Sequence, residues 1–516
     1  MRQKDYTWRL FFFLLLVWLI SICLSFLPQE IGGLTIKKVD PLSQLNPSEG
    51  DLAPIDSLHD ADNTIAIGPN DDQLSTAAPT LVYSLDTTQE SKEDAHRDSL
   101  YLQILAASKD STDSELLLQD FSQGHRGVAH TMQAIKDKEQ VHIAFAGDSF
   151  IEGDILTYDL RAILQSHFGG SGVGFMPITS HVAGFRKGIK HTFYGWKTVD
   201  AHKGKSHYLS GYWYQIKKAG AYVSYSLEEK KRDIDATIYY SSKKPIPIDI
   251  STGDTVIHHI LKGASDLSNK KASLPDSIEN NEEKAHSLEE SEIATTTAIG
   301  SEKSYQQIQT FTFPIVDGKV KITFPEESEG IFYGIALDQH QKSAICIDNF
   351  SLRGSSGTQL AHIDLGVSRS MNMARKPHLI VLQYGLNVVA ADRHNYSSYI
   401  HQMSKVIDHL RDCFPESDIL LLGPSDRGAR SANGMQSMPS ILSMRKALLD
   451  LAKQKGIVFW DTYKAMQKDG GISAYVTRGW AAKDYTHLSF RGGKQLANLL
   501  GNSFIAEYEL YQQMGL

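Results

Sequence analysis

Two patterns of apolar and polar positions alternate along this chain. Val141–Ala146 is a short apolar run broken only by His142, and Gly147-Asp148-Ser149 stops it. A run of that length ended by turn residues predicts a buried strand. From Ile155 the apolar positions Ile155, Leu160, Ile163 and Leu164 fall at helical spacing, so a helix follows the turn. Ala344–Gly354, His378–Asn387, Asp418–Pro424 and Gly456–Asp461 repeat the strand pattern; Tyr399–Leu410, Ser440–Lys455 and Arg491–Glu507 repeat the helical one. Strands alternating with helices predict an α/β fold, a mostly parallel sheet between two helical layers. Small helices are expected between Ser99 and Ile135, where Leu100, Leu105, Leu116, Phe121, Met132 and Ile135 mark the pattern.

From about Phe193 to Ile347 the pattern changes. Ala221–Leu227, Ala236–Tyr240, Val320–Phe324 and Ile331–Leu337 are short alternating or apolar runs punctuated by Gly, Asp and Pro. They predict an antiparallel β-sandwich over residues 193–343, inserted into an α/β domain formed by residues 98–192 and 344–516. Inside the insertion, residues 262–303 are dominated by Ser, Glu, Asn, Lys and Ala and read as a mobile surface excursion. Phe168–Phe175 is dense in glycine, but it follows a helix and lacks a Gly-Lys-Ser/Thr ending. It reads as a close-packed structural loop rather than a phosphate loop.

At the N-terminus, Arg2, Lys4 and Arg9 precede the apolar run Phe11–Leu27. That length is near the lower end of the roughly 17–25 residues that span a bilayer. The basic flank is expected to stay inside, sending the remainder across the inner membrane into the periplasm. Ser25-Phe-Leu-Pro-Gln29 is a poor cleavage site, so residues 1–28 read as an uncleaved signal anchor, with a cleaved signal as the alternative. Residues 29–97, where six of the chain's 16 prolines lie between positions 28 and 79, read as a tether with little packed structure.

Composition narrows the function. The net charge of −8 offers no basic field for nucleic acid, which is set aside as a partner. The three cysteines, Cys23, Cys346 and Cys413, allow at most one disulfide and form no metal-binding cluster. His181, His191, His202 and His207 are scattered without metal-ligand spacing. No metal or cofactor is expected.

Chemistry concentrates at the strand ends. Gly-Asp-Ser alone is an ordinary turn. A serine there, however, sits over the crevice where open α/β sheets bind ligands, and near a helix amino end. Three further strand-end positions follow it: Gly354, Asn387 in Tyr-Gly-Leu-Asn, and His487 in Asp-Tyr-Thr-His. Acyl transfer through Ser149 needs a base, His487, and a group to hold the imidazole tautomer, Asp484. The Ser149 N–H, the Gly354 N–H and the Asn387 amide have the chemistry of an oxyanion hole. Glu152 and Asp154 are helix-start charges with no catalytic role. Tyr212, Trp213 and Tyr214 are weighed between stacking on sugar and β-sandwich core, with core favoured.

The set resembles the SGNH, or GDSL, hydrolase superfamily, named for Ser, Gly, Asn and His in separate blocks. Gly147-Asp148-Ser149, Gly385-Leu-Asn387 and Asp484-x-x-His487 match three blocks, with Phe150 where the name-giving leucine stands; Gly354 fills the least distinctive one. The resemblance covers roughly residues 138–192 and 345–510 and implies a flavodoxin-like three-layer sheet. With the β-rich insertion, it is closest in pattern to envelope esterases acting on O-acetylated glycans, some of which carry an inserted carbohydrate-binding-like module. It implies a serine esterase whose partner is an acylated cell-wall or surface glycan. An O-acyltransferase, or a non-catalytic glycan-binding protein on the same scaffold, are the alternatives.

Overall fold

The computed structural model describes residues 30–31, 34–35, 97, 99–101, 103, 117–200, 207–228, 233–264, 307–339, 343–431 and 434–515. Two units divide the chain, Met1–Asp86 and Thr87–Leu516. In the first, Glu30–Ile31 pairs antiparallel with Leu34–Thr35. The expected anchor, most of the expected tether and nearly all of the 262–303 excursion lie outside the described residues. Among the described residues no helix is long and apolar enough to cross a membrane.

In the second unit, the strands run in the order Ala344–Ser351, Gln140–Gly147, Leu379–Gln383, Asp418–Leu422, Val458–Trp460 and Gln119–Asp120. The first five are mutually parallel and the last is an antiparallel edge. Successive side chains of a strand face opposite ways. Thus Val141, Ile143, Phe145, Leu379 and Val381 pack with Leu160, Leu164, Leu496 and Leu500 on one side. Ala144, Ala146, Ile380 and Leu382 pack with Val367, Met403, Ile441 and Leu448 on the other. A sheet apolar on both faces is stable only when both are covered, and helices Thr157–Phe168 and Phe490–Gln513 on one side, and Leu365–Ala374, Ser397–Cys413 and Pro439–Lys455 on the other, cover it.

Between Gln140–Gly147 and Ala344–Ser351 in the chain come the strands of two antiparallel sheets. One runs Gln309–Ile315, Ile234–Ser241, Ile331–Asp338, Tyr212–Ile216, Trp196–Asp200; the other Thr255–Leu261, Ile246–Thr252, Lys319–Phe324, Ala221–Leu227, Ile189–Tyr194. Ala221, Val223, Tyr225 and Leu227 are buried while the residues between them are half-buried, and they share a core with Ile238, Ile250, Phe324 and Phe332. This alternation is what two sheets packed face to face require.

Several elements differ from expectation. The glycine-dense segment is close-packed, but Gly172–Met176 is a strand, antiparallel to Ile331–Asp338. A Cβ on Gly174 would lie 2.2 Å from the Ile347 carbonyl oxygen, so only glycine lets the strand pass that close to the parallel sheet. Of the expected helices before Val141, Ala129–Lys136 forms, whereas Gln119–Asp120 is a strand. There the Asp120 carboxylate accepts the Ser122 and Gly127 N–H groups and turns the chain. The helix after Ser149 begins only at Thr157, with a 3-10 turn at Glu152–Asp154 in between. Helix Leu365–Ala374, opened by Asp364 accepting the Val367 N–H, and the hairpin Gly428–Ser431/Gly434–Ser437 had no clear pattern in the sequence.

Buried Glu507 yields a stability prediction. Burial, reinforced by the Asp120 charge, pushes its carboxyl from 4.5 up to about 8. The folded state therefore keeps a proton that the unfolded state releases. Stability should fall as pH rises from 4.5 to about 8, by at most about 1.4 kcal/mol per pH unit from this group. Urea titrations of wild type and Glu507→Gln should diverge across that window and run parallel below it. A gap that stays constant with pH would show Glu507 ionised in the fold.

Candidate active site

Three strands end at the same level. Gly147 pairs with Ser351 on one side and with Gln383 on the other. The Leu352 N–H donates to the Gly147 carbonyl at 2.9 Å, extending the ladder one step. Asp148-Ser149, Leu352–Gly354 and Tyr384–Asn387 therefore leave the carboxyl edge of the sheet together, where open α/β sheets place their sites.

The fourth segment reaches this edge from the far end of the chain. The Ala482 N–H donates to the His487 carbonyl at 2.8 Å, and Tyr485 takes a left-handed φ of 53°. Inside this tight loop Asp484 Oδ1 accepts the N–H groups of Thr486 (2.9 Å) and His487 (3.0 Å). That local bonding explains why the carboxylate and imidazole are three residues apart. Two glycines then start the closing helix: a Cβ on Gly493 would lie 1.9 Å from the Ile155 carbonyl oxygen. Glycine in a helix interior costs about 1 kcal/mol relative to alanine. Here it lets the helix following His487 seat directly on the backbone that follows Ser149.

The result is a continuous hydrogen-bonded chain. Ser149 Oγ lies 3.3 Å from His487 Nε2, and His487 Nδ1 lies 2.7 Å from Asp484 Oδ2. Burial works against the charged form of Asp484, but its bonds from the His487 ring and from the His487 and Thr486 N–H groups outweigh it and hold the carboxyl below its usual value. The carboxylate fixes the ring with Nδ1 protonated, leaving the Nε2 lone pair toward Ser149. The His487 and Asp484 side chains are 52% and 44% exposed, so the chain is open to water.

The three proposed oxyanion donors differ. Gly354 is exposed, has φ 72°, and nothing approaches the place a Cβ would take, so its backbone is open to a ligand. Ser149 lies ahead of the 3-10 turn rather than at a helix amino end, so the helix expected directly behind its N–H is not there. Asn387 is brought to the edge, but its Nδ2 donates to Asp148 Oδ2 at 2.9 Å and to the Ser355 carbonyl at 3.0 Å. Both amide protons are engaged, so serving an oxyanion means exchanging one of these acceptors.

Sequence reasoning missed Asp148, which looked like any turn aspartate. It is 1% exposed and its Oδ1 accepts the Phe150 N–H at 2.9 Å. Burial pushes it up to about 7, against the Phe150 N–H and the nearby His487. Only the register that sets Gln383 and Asn387 beside it separates it from a solvated turn residue. Asp154 is likewise more than a helix-start charge. It is fully buried and receives Arg161 Nη1 (3.2 Å), Arg186 Nε (2.8 Å), Thr157 Oγ1 (2.6 Å) and Asn349 Nδ2 (2.9 Å). Glu152 pairs with Arg353 Nε at 2.8 Å, joining the turn after Ser149 to the turn before Gly354.

Among the described residues one buried group, His142, Asp338 and Cys346, brings potential metal-ligand atoms within 4.8 Å of one another. Arg375 Nη2 is 2.7 Å from both Asp338 and Asp348, and its fixed positive charge opposes a cation there. His191 is buried with Nε2 3.1 Å from the Ile178 carbonyl, while His202 lies outside the described residues.

No family model matches the sequence, and no curated protein matches it. Among solved structures, a peptidoglycan O-acetylesterase superposes with a TM-score of 0.57 at 16% identity, covering 76% of this chain and 99% of its own. The chain shares the fold of that structure. A lipase/acylhydrolase from Enterococcus faecalis overlaps with a TM-score of 0.24 at 18% identity, over 32% of this chain and 77% of its own. An acetyl xylan esterase overlaps with a TM-score of 0.24 at 16% identity, over 30% of this chain and 79% of its own. Ser149, His487 and Asp484 are brought into bonding contact, Gly354 is open, and Asn387 is at the same edge but engaged.

Asp148→Asn tests the last point. An amide at 148 cannot accept from both Phe150 and Asn387, so one donor is orphaned, at roughly 1–3 kcal/mol. The expected outcomes are a lower melting temperature and displaced side-chain amide resonances of Asn387. Unmoved resonances would show that Asp148 does not hold it.

Proposed function

We propose that the protein is a serine esterase that removes O-acetyl, or a similar small acyl group, from a cell-envelope polysaccharide or peptidoglycan. The observation that carries this reading is the Ser149–His487–Asp484 chain, 3.3 and 2.7 Å long in its two links, at the carboxyl edge of a parallel sheet. In the first half-reaction His487 Nε2 takes the Ser149 proton as Oγ attacks the ester carbonyl. The N–H groups of Ser149 and Gly354 receive the developing oxyanion, joined by the Asn387 amide once it leaves the Ser355 carbonyl. His487 then gives its proton to the departing glycan oxygen, leaving an acyl group on Ser149. Water, activated by the same imidazole, releases the acid and restores the serine.

The half-exposed His487 gives water access to an acyl group on Ser149, as hydrolysis requires. The fold shared with a peptidoglycan O-acetylesterase supports the substrate class. The apolar run Phe11–Leu27 behind its basic flank supports a site held outside the inner membrane.

Hydrolysis of a soluble aryl acetate is the direct test. Ser149→Ala and His487→Ala should each abolish turnover without changing the circular dichroism spectrum. The double variant should be little worse than either, since the residues act as one unit. Undiminished turnover by Ser149→Ala would remove the nucleophile assignment. Asn387→Ala should lower kcat by about 10²–10³; an effect confined to KM would instead assign it to ground-state binding.

A further inference from the structure

A cavity of about 370 Å³ opens beside the catalytic edge, between the Glu152–Asp154 turn and the antiparallel sheets. Glu152 and Gly153 on its wall follow Ser149 within a few residues, and Ser351 on the same wall pairs in register with Gly147. Its lining also carries Phe193, Tyr194 and Tyr212 from the antiparallel sheets. Tyr194 is 50% exposed, and its ring is held against Tyr222 with Lys218 Nζ above it. Tyr212 is half-buried, and burial, with Asp200 and Glu152 nearby, pushes its phenol up to about 12. Glu152 and Tyr212 thus both line the cavity within electrostatic reach of each other. Tyr214, two residues on, is the core residue expected of this stretch, at 1% exposure.

The lining is therefore part aromatic, with the Tyr194 ring held in place, and part polar and charged. A pyranose ring has the matching surface, an apolar C–H face bounded by hydroxyl groups. The volume falls in the range of roughly 300–1,000 Å³ typical of ligand pockets. We propose that this cavity is a glycan subsite, taking a pyranose next to the acylated sugar, with Tyr194 and Tyr212 as its stacking and hydrogen-bonding residues and Glu152 as a further polar contact. The proposal rests on the esterase reading for its direction, because only a chain passing Ser149 needs a neighbouring ring here. Binding remote from the reacting bond would position a long substrate.

The probe is a hexamer of β-1,4-linked N-acetylglucosamine, titrated calorimetrically into full-length Ser149→Ala protein. Adding Tyr194→Ala or Tyr212→Ala should weaken binding roughly tenfold each, the scale of one lost aromatic contact. Thr198→Trp, at an exposed strand position on the cavity wall, should fill the space and abolish binding without touching the buried core. It keeps the test valid if a tyrosine variant fails to fold. In otherwise wild-type protein the ratio of kcat/KM on O-acetylated polymer to that on aryl acetate should fall with the same variants. No hexamer binding, or binding unchanged by all three substitutions, overturns the subsite. Hexamer binding that the variants abolish, in a protein that never turns over aryl acetate, supports the subsite and removes the esterase reading.

Discussion

Everything at the catalytic edge hangs on the buried carboxylate of Asp154. It sits in the left-handed region at φ 65°, a conformation that aspartate tolerates better than most residues. Four groups from three segments converge on it: Thr157 and Arg161 from the following helix, Arg186 from the loop leading into the antiparallel sheets, and Asn349 from the neighbouring strand. The two guanidinium groups hold the carboxyl well below its usual range even though burial alone would raise it. Buried charges of this kind are stable only when paired, so losing Asp154 would leave two buried guanidinium groups facing each other uncompensated. The turn carrying Ser149 is thereby fixed at its far end, while the strand Gln140–Gly147 fixes it at the near end.

Arg375 repeats the device one layer away. Its guanidinium joins Asp338 of an antiparallel strand to Asp348 of a parallel one, and Asp348 Oδ1 also accepts the Phe175 N–H at 2.8 Å. Two ion clusters, rather than apolar contacts alone, therefore connect the antiparallel sheets to the parallel one. Charge pairing is directional, so it fixes angle as well as proximity. That suits a cavity whose two walls come from different sheets.

Much of this was legible in the chain. Runs such as Val141–Ala146, broken only by His142, and Leu379–Leu382 are apolar at consecutive positions because both faces of a parallel sheet are covered, and that pattern survives without structural context. Ala221–Leu227 alternates because only one of its faces is buried. The Asp484–His487 spacing was legible because a single local loop makes both bonds. What stayed hidden depends on pairing between distant segments. Asp148 differs from a solvated turn aspartate only through Asn387 and Gln383; Asp154 only through Arg186 and Asn349. The glycines at 172 and 174 looked like a loop, since sequence does not say which backbone passes within contact distance.

The pairing of Gln140–Gly147 with Ala344–Ser351 has a consequence for synthesis. The strand leading to the nucleophile meets one neighbour about 200 residues later in the chain, and its other neighbour, Leu379–Gln383, later still. At roughly 5–20 residues per second it emerges from the ribosome some 10–40 s before either partner. Throughout that interval it is an apolar strand with two unpaired edges, the kind of segment that recruits wrong partners. The antiparallel sheets are complete before the parallel sheet can close around it. Their folding sets the order of events, and the catalytic edge is the last part of the molecule to exist.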